Sequence, residues 1–420
     1  MKINRFSGRK FTFFSVCLLS GFLRSLFVLV DSASVTYIPD PILFGVYTIV
    51  GGLAVTLLIW LVLAVIPISG KKRLGNLVDK DFRATNLRLP FSAIKFILLA
   101  SAFNALSLII YLYGVLQFDP SLMLPLMQFV VLYLMLTEFI ASKDLPTVVE
   151  IQSIVMITLG AIIVTINPEM ELNLLAVLLI LFPLNLFTGL MIFCQKKALQ
   201  IRYPDGRNID AITTRVWTVF GLFIFYGLLS LPLMFVDNRF DRFILNFDLG
   251  MILASVSMII TFFAAVFRLR GLSMGKTYIV NALVSISVVF SIPLTLFAVV
   301  FIDPLIFGGE VSLNPFLWIL KSIGSILIFI GIVSMVLSEV RGYVLVKIRT
   351  GTPIDETMQN IQKINGVESV SSLFGEYDLI VYYRIRSIGK ILRLIIREIA
   401  QLPGVDQIST QIVLNELNKS

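Results

Sequence analysis

The chain has 420 residues; 57% are hydrophobic and only 14% are charged, against about 25% charged in a soluble globular protein. It carries a net charge of +8, no histidine, and two cysteines, Cys17 and Cys194, both inside apolar segments. That inventory excludes the usual zinc, copper and thiol-redox centres, predicts no metal or cofactor, and places most of the surface against lipid.

Ten apolar segments are long enough to cross a bilayer core: 11–31, 42–66, 93–117, 120–141, 147–166, 172–194, 212–236, 249–267, 277–302 and 315–338. Basic residues 1–10 precede the first segment, as in a signal peptide, but Arg24 interrupts its apolar run and argues for a retained span. Lysine and arginine collect on the cytoplasmic side of short loops. With the N-terminus inside, eighteen of them fall on that side, in the tail and in loops such as 71–88, 196–207 and 268–276. Two, Arg239 and Arg242, fall outside, together with acids such as Asp40, Asp119 and Asp303. The positive charge therefore reads as topology rather than as nucleic-acid binding, and both termini are expected in the cytoplasm of a multi-pass cell-membrane protein.

Ten spans divide into two sets of five, 11–166 and 172–338. Because five is odd, the second set enters from the opposite face, an inverted repeat with its substrate near the midplane. The fifth and tenth segments share a glycine-bearing pattern, SIVMITLGAIIVTI (153–166) and SIGSILIFIGIVSMVL (322–337). Segments four and nine each carry a mid-span proline, Pro125 and Pro293, and segment six carries Pro183. Each proline frees a carbonyl that needs a partner in protein or in a wet cavity, although a simple packing kink is the plainer reading of any one of them.

The run YGVLQFDPSLMLPLMQFVVLYLMLTEF (113–139), with Glu138 closing the fourth span, resembles the first half of an EamA-type drug/metabolite transporter. The resemblance implies the ten-helix plan over residues 11–340. The second half fits in span number and spacing but little in letters, and the insertion 303–314 departs from the pattern.

Polar residues inside spans are candidates for a pocket. Arg24 lies about 20 Å along the first helix at 1.5 Å per residue. It is suited to hold a carboxylate or phosphate, or else snorkels or pairs with Asp31 one heptad on. Asn104, Gln128, Asn185 and Asn281 complete the substrate-binding set; each is equally well read as an interhelical hydrogen bond. Lys321 reads as a snorkelling residue. No Asp or Glu is expected deep in a span, which argues against a buried carboxylate relay.

After the last span the letters change. YVLVKIR (343–349) alternates as a strand, and TPID (352–355) opens a helix with Thr352 as N-cap and an apolar face at Ile354, Met358, Ile361 and Ile364. VESVSSLF (367–374) and LIVYYRIR (379–386) flank a turn, a second helix runs from Ser387 to Leu402, and QISTQIVL (407–414) is the last strand. IQKINGVESVS (361–371) repeats as IAQLPGVDQIS (399–409). The order βαββαβ is the ferredoxin-like pattern of an α+β domain. The letters GVESV, FGEYDLIVYYRIR and LPGVDQISTQIVL closely resemble the ligand-binding (RAM) domain of Lrp/AsnC regulators over 342–415. That resemblance implies a homodimer or higher homo-oligomer and amino-acid effectors. It puts effector binding on the turn Gly375, Glu376, Tyr377 and Asp378, where the plain alternative is that Gly375 only turns the chain and Asp378 only caps it. The family's DNA-binding helix-turn-helix has no counterpart here.

Five residues, 338–342, join the last span to this domain, a linker too short to let it leave the cytoplasmic face. The expected function is transport, as exporter or exchanger, of small metabolites, amino acids among them, regulated through the C-terminal domain. The alternative is a membrane-anchored sensor that does not transport and recruits partners through that domain. A continuous polar path through spans one, three, four, six, eight and nine discriminates the two. An enzyme is not expected, since no nucleophile has a plausible base.

Overall fold

A computed structural model describes residues 3–69, 72–83, 87–142, 148–165, 174–303, 306–307, 314–337, 340–364, 367–385 and 390–412. Lys71, Lys143, Glu169, Glu171, Glu310 and Ser387 lie outside the described residues. The chain forms two compact units, Met1–Thr137 with Ser153–Val333, and Glu138–Gln152 with Ser334–Ser420.

The apolar segments are helices: α1 (Ile3–Tyr37), α2 (Pro41–Val65), α3 (Phe91–Gln117), α4 (Pro120–Leu126), α5 (Val130–Ser142), α6 (Val148–Thr165), α7 (Leu174–Leu179), α8 (Asn185–Gln200), α9 (Ala211–Met234), α10 (Arg239–Leu245), α11 (Phe247–Met274), α12 (Thr277–Val284), α13 (Ile286–Phe301) and α14 (Pro315–Leu337). Among the described residues nine stretches are long and apolar enough to span a membrane: Phe11–Tyr37, Pro41–Val65, Phe91–Gln117, Pro120–Thr137, Leu174–Gln200, Ala211–Met234, Phe247–Met274, Thr277–Phe301 and Pro315–Ser334. The segment expected as the fifth crossing is helical, but its apolar stretch, Ile151–Thr165, is shorter. Helix α2 shows why lipid is required. Leu57, Leu58, Leu61 and Val65 form an exposed stripe along it, and covering each such side chain with hydrocarbon is worth about 1.5–3 kcal/mol.

The first helix is longer than expected and runs on to Tyr37, which brings Asp31 inside it. Asp40 then caps α2, its carboxylate accepting from the amides of Ile42 and Leu43. The same carboxylate pairs with Arg239 at 2.8 Å and Arg242 at 3.0 Å. The two arginines that stood apart in the charge distribution thus share one acid, and Arg239 also lies 3.5 Å from Asp237. Burial opposes ionisation of Asp40, but the hydrogen bonds from Arg239 and the Leu43 amide, with the two guanidinium charges, outweigh it and hold the carboxyl below its ordinary range.

Three of the spanning stretches are interrupted, and the interruptions are joined. The fourth breaks at a 3-10 turn, Met127–Phe129, just after Pro125. The fifth contains a π turn, Ile180–Leu184, around Pro183. The eighth breaks at Ser285, between α12 and α13, several residues before Pro293. The Ser285 hydroxyl donates to the Gln128 side-chain carbonyl at 2.6 Å, linking the first break to the third. The Asn185 amide donates to Leu126 O at 2.9 Å and to Ile180 O at 2.7 Å, linking the first to the second. Backbone groups freed at a helix break must be met inside the protein, and these amides meet them.

Helices α6 and α14 approach backbone to backbone. A Cβ on Gly160 would lie 2.5 Å from Gly324 O, one on Gly324 would lie 2.6 Å from Gly160 O, and one on Gly331 would lie 2.8 Å from Ser153 O. The shared glycine pattern of the two segments is therefore a contact surface, as small residues are in membrane helix pairs.

The second unit contains strands β1 (Val340–Ile348), β2 (Val367–Ser372), β3 (Leu379–Ile385) and β4 (Val405–Ile412), with helices α15 (Ile354–Gln362) and α16 (Lys390–Ala400). The sheet is antiparallel throughout, in the order β2-β3-β1-β4. Val344 faces Val381 on one side and Thr410 on the other. Alternate residues of β1 are buried, and Val344, Val346, Leu379 and Val381 pack with Ile361 of α15 and Ile395 and Ile399 of α16. Met358 and Ile364 join this core, whereas Ile354 is 43% exposed. Pro353, not Thr352, holds the N-cap position of α15. The Thr352 side chain instead packs over Gly404, whose φ of +94° leaves a turn with no Cβ in the way.

Candidate functional site

A cavity of about 150 Å³ lies inside the first unit. Helices α1, α2, α3, α8, α9 and α11 all contribute to its wall, with Met127, Leu184 and Val284 from beside the three helix breaks. Prolines and breaks thus flank the cavity, while the groups that repair the breaks are not part of its wall.

The polar wall has two parts. Arg24, Arg215 and Arg268 come from α1, α9 and α11 and converge on the same space. Arg24 and Arg215 are only 7% and 5% exposed. The three guanidinium groups lie close enough for Arg24 and Arg215 to repel the charge on Arg268. Arg268 donates to the Gln195 side-chain carbonyl at 3.4 Å, and the Nε atoms of Arg215 and Arg268 are buried without a partner among the described residues. Asp31 forms the second part. Its carboxylate accepts from the Tyr111 hydroxyl at 2.8 Å and from the Ser257 hydroxyl, and it makes no ion pair with these arginines among the described residues.

Of the five residues expected to bind substrate, the structure brings Arg24 and Asn104 to the cavity. Gln128, Asn185 and Asn281 are not part of its wall. Gln128 donates to Leu124 O at 2.8 Å and accepts from Ser285, and Asn185 serves Leu126 O and Ile180 O. Asn281 donates to Thr277 O at 2.9 Å. Each amide is spent on backbone carbonyls near a broken helix, where an unmet carbonyl would cost more than a ligand contact would gain.

Three other expectations change. Asp31 is a carboxylate deep within a helix that crosses the membrane unit, where none was expected, because α1 continues beyond residue 31. Arg24 makes no ion pair with it among the described residues; the Asp31 oxygens accept from Tyr111 and Ser257 instead. Lys321 does not snorkel: it is 4% exposed, donates to Ser121 Oγ at 2.5 Å, and lies 4.8 Å from the centroid of the Trp318 ring. Ser121 in turn donates to Asp119, the cap of α4, so the lysine charge is balanced through one hydroxyl.

Arg215 was not singled out in the sequence, and Arg268 counted as loop charge because it lies within two turns of a helix end. There, positive charge ordinarily marks the cytoplasmic side. The available signal was that an arginine four residues into a 24-residue apolar helix has no need to face water.

In the C-terminal unit the turn residues part company. Asp378 Oδ2 accepts from the Ile348 amide at 2.6 Å, and the Asp378 amide donates to Val346 O at 3.0 Å. This carboxylate pins the turn between β2 and β3 to the end of β1. Gly375 and Glu376 are exposed and Tyr377 is half-buried.

Residues 341–420 match the family model of the Lrp/AsnC ligand binding domain. No curated protein matches the chain. Spanning helices around a charged cavity, followed by this domain, define a multi-pass helical membrane protein with a C-terminal ligand-binding domain.

Proposed function

We propose that the protein is a transporter of small metabolites across the cell membrane, not an enzyme, regulated by its C-terminal domain. The observation that carries this reading is the cavity among the spanning helices, walled by residues of six helices and by three breaks in others. Helix breaks beside a mid-membrane polar cavity are a recurring feature of carriers, because they supply the joints about which halves rearrange. Helix α6 is read as a tenth crossing. Two five-helix repeats then run in inverted orientation on the EamA-type plan, with the joined breaks of stretches four and nine, and the glycine contact of five and ten, as equivalent pairs. Both termini are read as cytoplasmic from the charge of the loops. The C-terminal unit is read as a ferredoxin-like fold that binds a small effector, amino acids among them, and joins copies of the chain into dimers or larger assemblies. Gly375, Glu376 and Tyr377 stay as the effector-binding candidates, and Asp378 holds the turn. The effector acts only if it binds two conformations of the carrier unequally.

The test is efflux from proteoliposomes containing the full chain and loaded with labelled amino acids and carboxylates. Solute release above protein-free vesicles, changed by an effector in the outer buffer, is expected. Specific binding with no release of any solute would favour the membrane-anchored sensor instead.

A further inference from the structure

The cavity holds three guanidinium groups and one carboxylate, a net charge of +2 inside a membrane. Arginine does not lose its proton under such conditions. Burying a charge is costly unless it is paired, and a buried donor with no acceptor adds to that cost. Here Arg215 and Arg268 each leave Nε buried and unmet, and Asp31 is turned to Tyr111 and Ser257. No acceptor supplied by the described chain neutralises the cluster, so the balance has to come from what enters the cavity.

The chemistry of that occupant follows. A planar guanidinium matches a carboxylate with two parallel hydrogen bonds, and three of them suit two carboxylates better than one. The volume of about 150 Å³ has room for roughly ten water-sized groups, which admits a four- or five-carbon chain. Phe27, Leu108, Met191 and Leu222 supply an apolar wall for methylene groups. Asp31 can accept from an ammonium or hydroxyl on the same molecule.

We infer that the cavity binds a small dicarboxylate, with or without an amino group, held by Arg24, Arg215 and Arg268. This rests on the transporter reading for what happens next, but the binding itself does not.

The test uses the full-length protein in detergent with succinate, glutamate, leucine and inorganic phosphate as probes. Succinate or glutamate is expected to raise the melting temperature, with phosphate and any arginine-dependent response to leucine far weaker; glutamate ahead of succinate, with the preference lost in Asp31→Asn, would assign the ammonium to Asp31. Arg24→Gln, Arg215→Gln and Arg268→Gln are each expected to weaken dicarboxylate binding at least about tenfold, roughly 1.4 kcal/mol. Without ligand, Arg215→Gln and Arg268→Gln are expected to melt no lower than the parent, because like charges have been separated; a purely structural arginine would do the opposite. Should a glutamine variant fail to fold, Arg215→Lys and Arg268→Lys keep the charge, lose the fork, and are expected to show the same loss of affinity. Dicarboxylate binding unchanged in all of the variants would place it elsewhere and overturn the inference. Transport of neutral solutes with no arginine-dependent dicarboxylate binding would overturn it while leaving the carrier reading intact. Dicarboxylate binding through these arginines without transport would sustain it and remove the carrier reading.

Discussion

Gly160 offers the most direct check on how the membrane helices pack. Replacing it by alanine puts a methyl carbon 2.5 Å from the Gly324 carbonyl oxygen, 2.8 Å from Ile328 Cγ1 and 3.0 Å from the Ile328 amide nitrogen, where ordinary contact begins at 3.4 Å. Two of those three atoms belong to backbone, so relief requires α6 and α14 to separate by close to an ångström. Overpacking of this kind costs about 1–3 kcal/mol. Alanine is also the better helix former, by about 0.8–1 kcal/mol, which masks part of the loss. Gly227 supplies the matched control. It lies inside α9, and a methyl carbon there meets nothing within 4 Å, so Gly227→Ala isolates the propensity gain. The expected result is Gly227→Ala unchanged or more stable, and Gly160→Ala less stable than Gly227→Ala by about 1–3 kcal/mol in thermal or denaturant unfolding of the purified protein. Gly324→Ala should match Gly160→Ala, since each glycine faces the carbonyl of the other. Equal shifts in Gly160→Ala and Gly227→Ala would refute the backbone contact.

Other consequences follow from particular groups. Asp210 caps α9 by accepting from the Thr213 amide at 2.7 Å, and burial, followed by repulsion from Asp79, lifts its carboxyl to about 7. The folded value lies above the ordinary 3.8, so the folded state holds an extra proton between those limits and stability falls as pH rises through that window. Protection factors at the α9 N-terminus, with exchange corrected for its intrinsic pH dependence, should therefore be higher at pH 5.5 than at pH 8, and Asp210→Asn should flatten the difference. Asp40 behaves oppositely: its lowered carboxyl contributes stability above the ordinary value that is lost as pH falls through the folded one. Asp40→Ala should cost about 0.5–2 kcal/mol from the cap alone, and Asp40→Asn less, measured by unfolding. In the C-terminal unit, Leu379 is fully buried, and Leu379→Ala should destabilise that unit by about 2–5 kcal/mol, seen as faster hydrogen exchange in 340–412.

Two kinds of information were legible in the residues alone. Apolar length marked the spans, since a bilayer demands about 20 apolar residues per helix whatever its neighbours do. Alternation and i, i+4 spacing marked the strands and helices of the C-terminal unit; Val344 with Val346, and Ile361, point inward as that pattern requires. Both signals are periodic and local. The start of α15 shows their limit, because Thr352 looked like a cap until Gly404, some fifty residues away, drew its side chain aside.

The candidate site belongs to the other kind. Arg24, Arg215 and Arg268 are separated by nearly two hundred and by fifty-three residues, and nothing in their spacing marks them as neighbours. Arg268 read as topological charge because it lies near a helix end, and Arg215 was not singled out at all. Gln128 and Asn185 read as ligands because they are polar in a greasy run, yet the packing of three broken helices gave them carbonyls to satisfy. A polar residue in a span announces only that it needs a partner. Whether the partner is a carbonyl, another side chain or an incoming solute depends on which helices pack together, and that was decided by the tertiary structure.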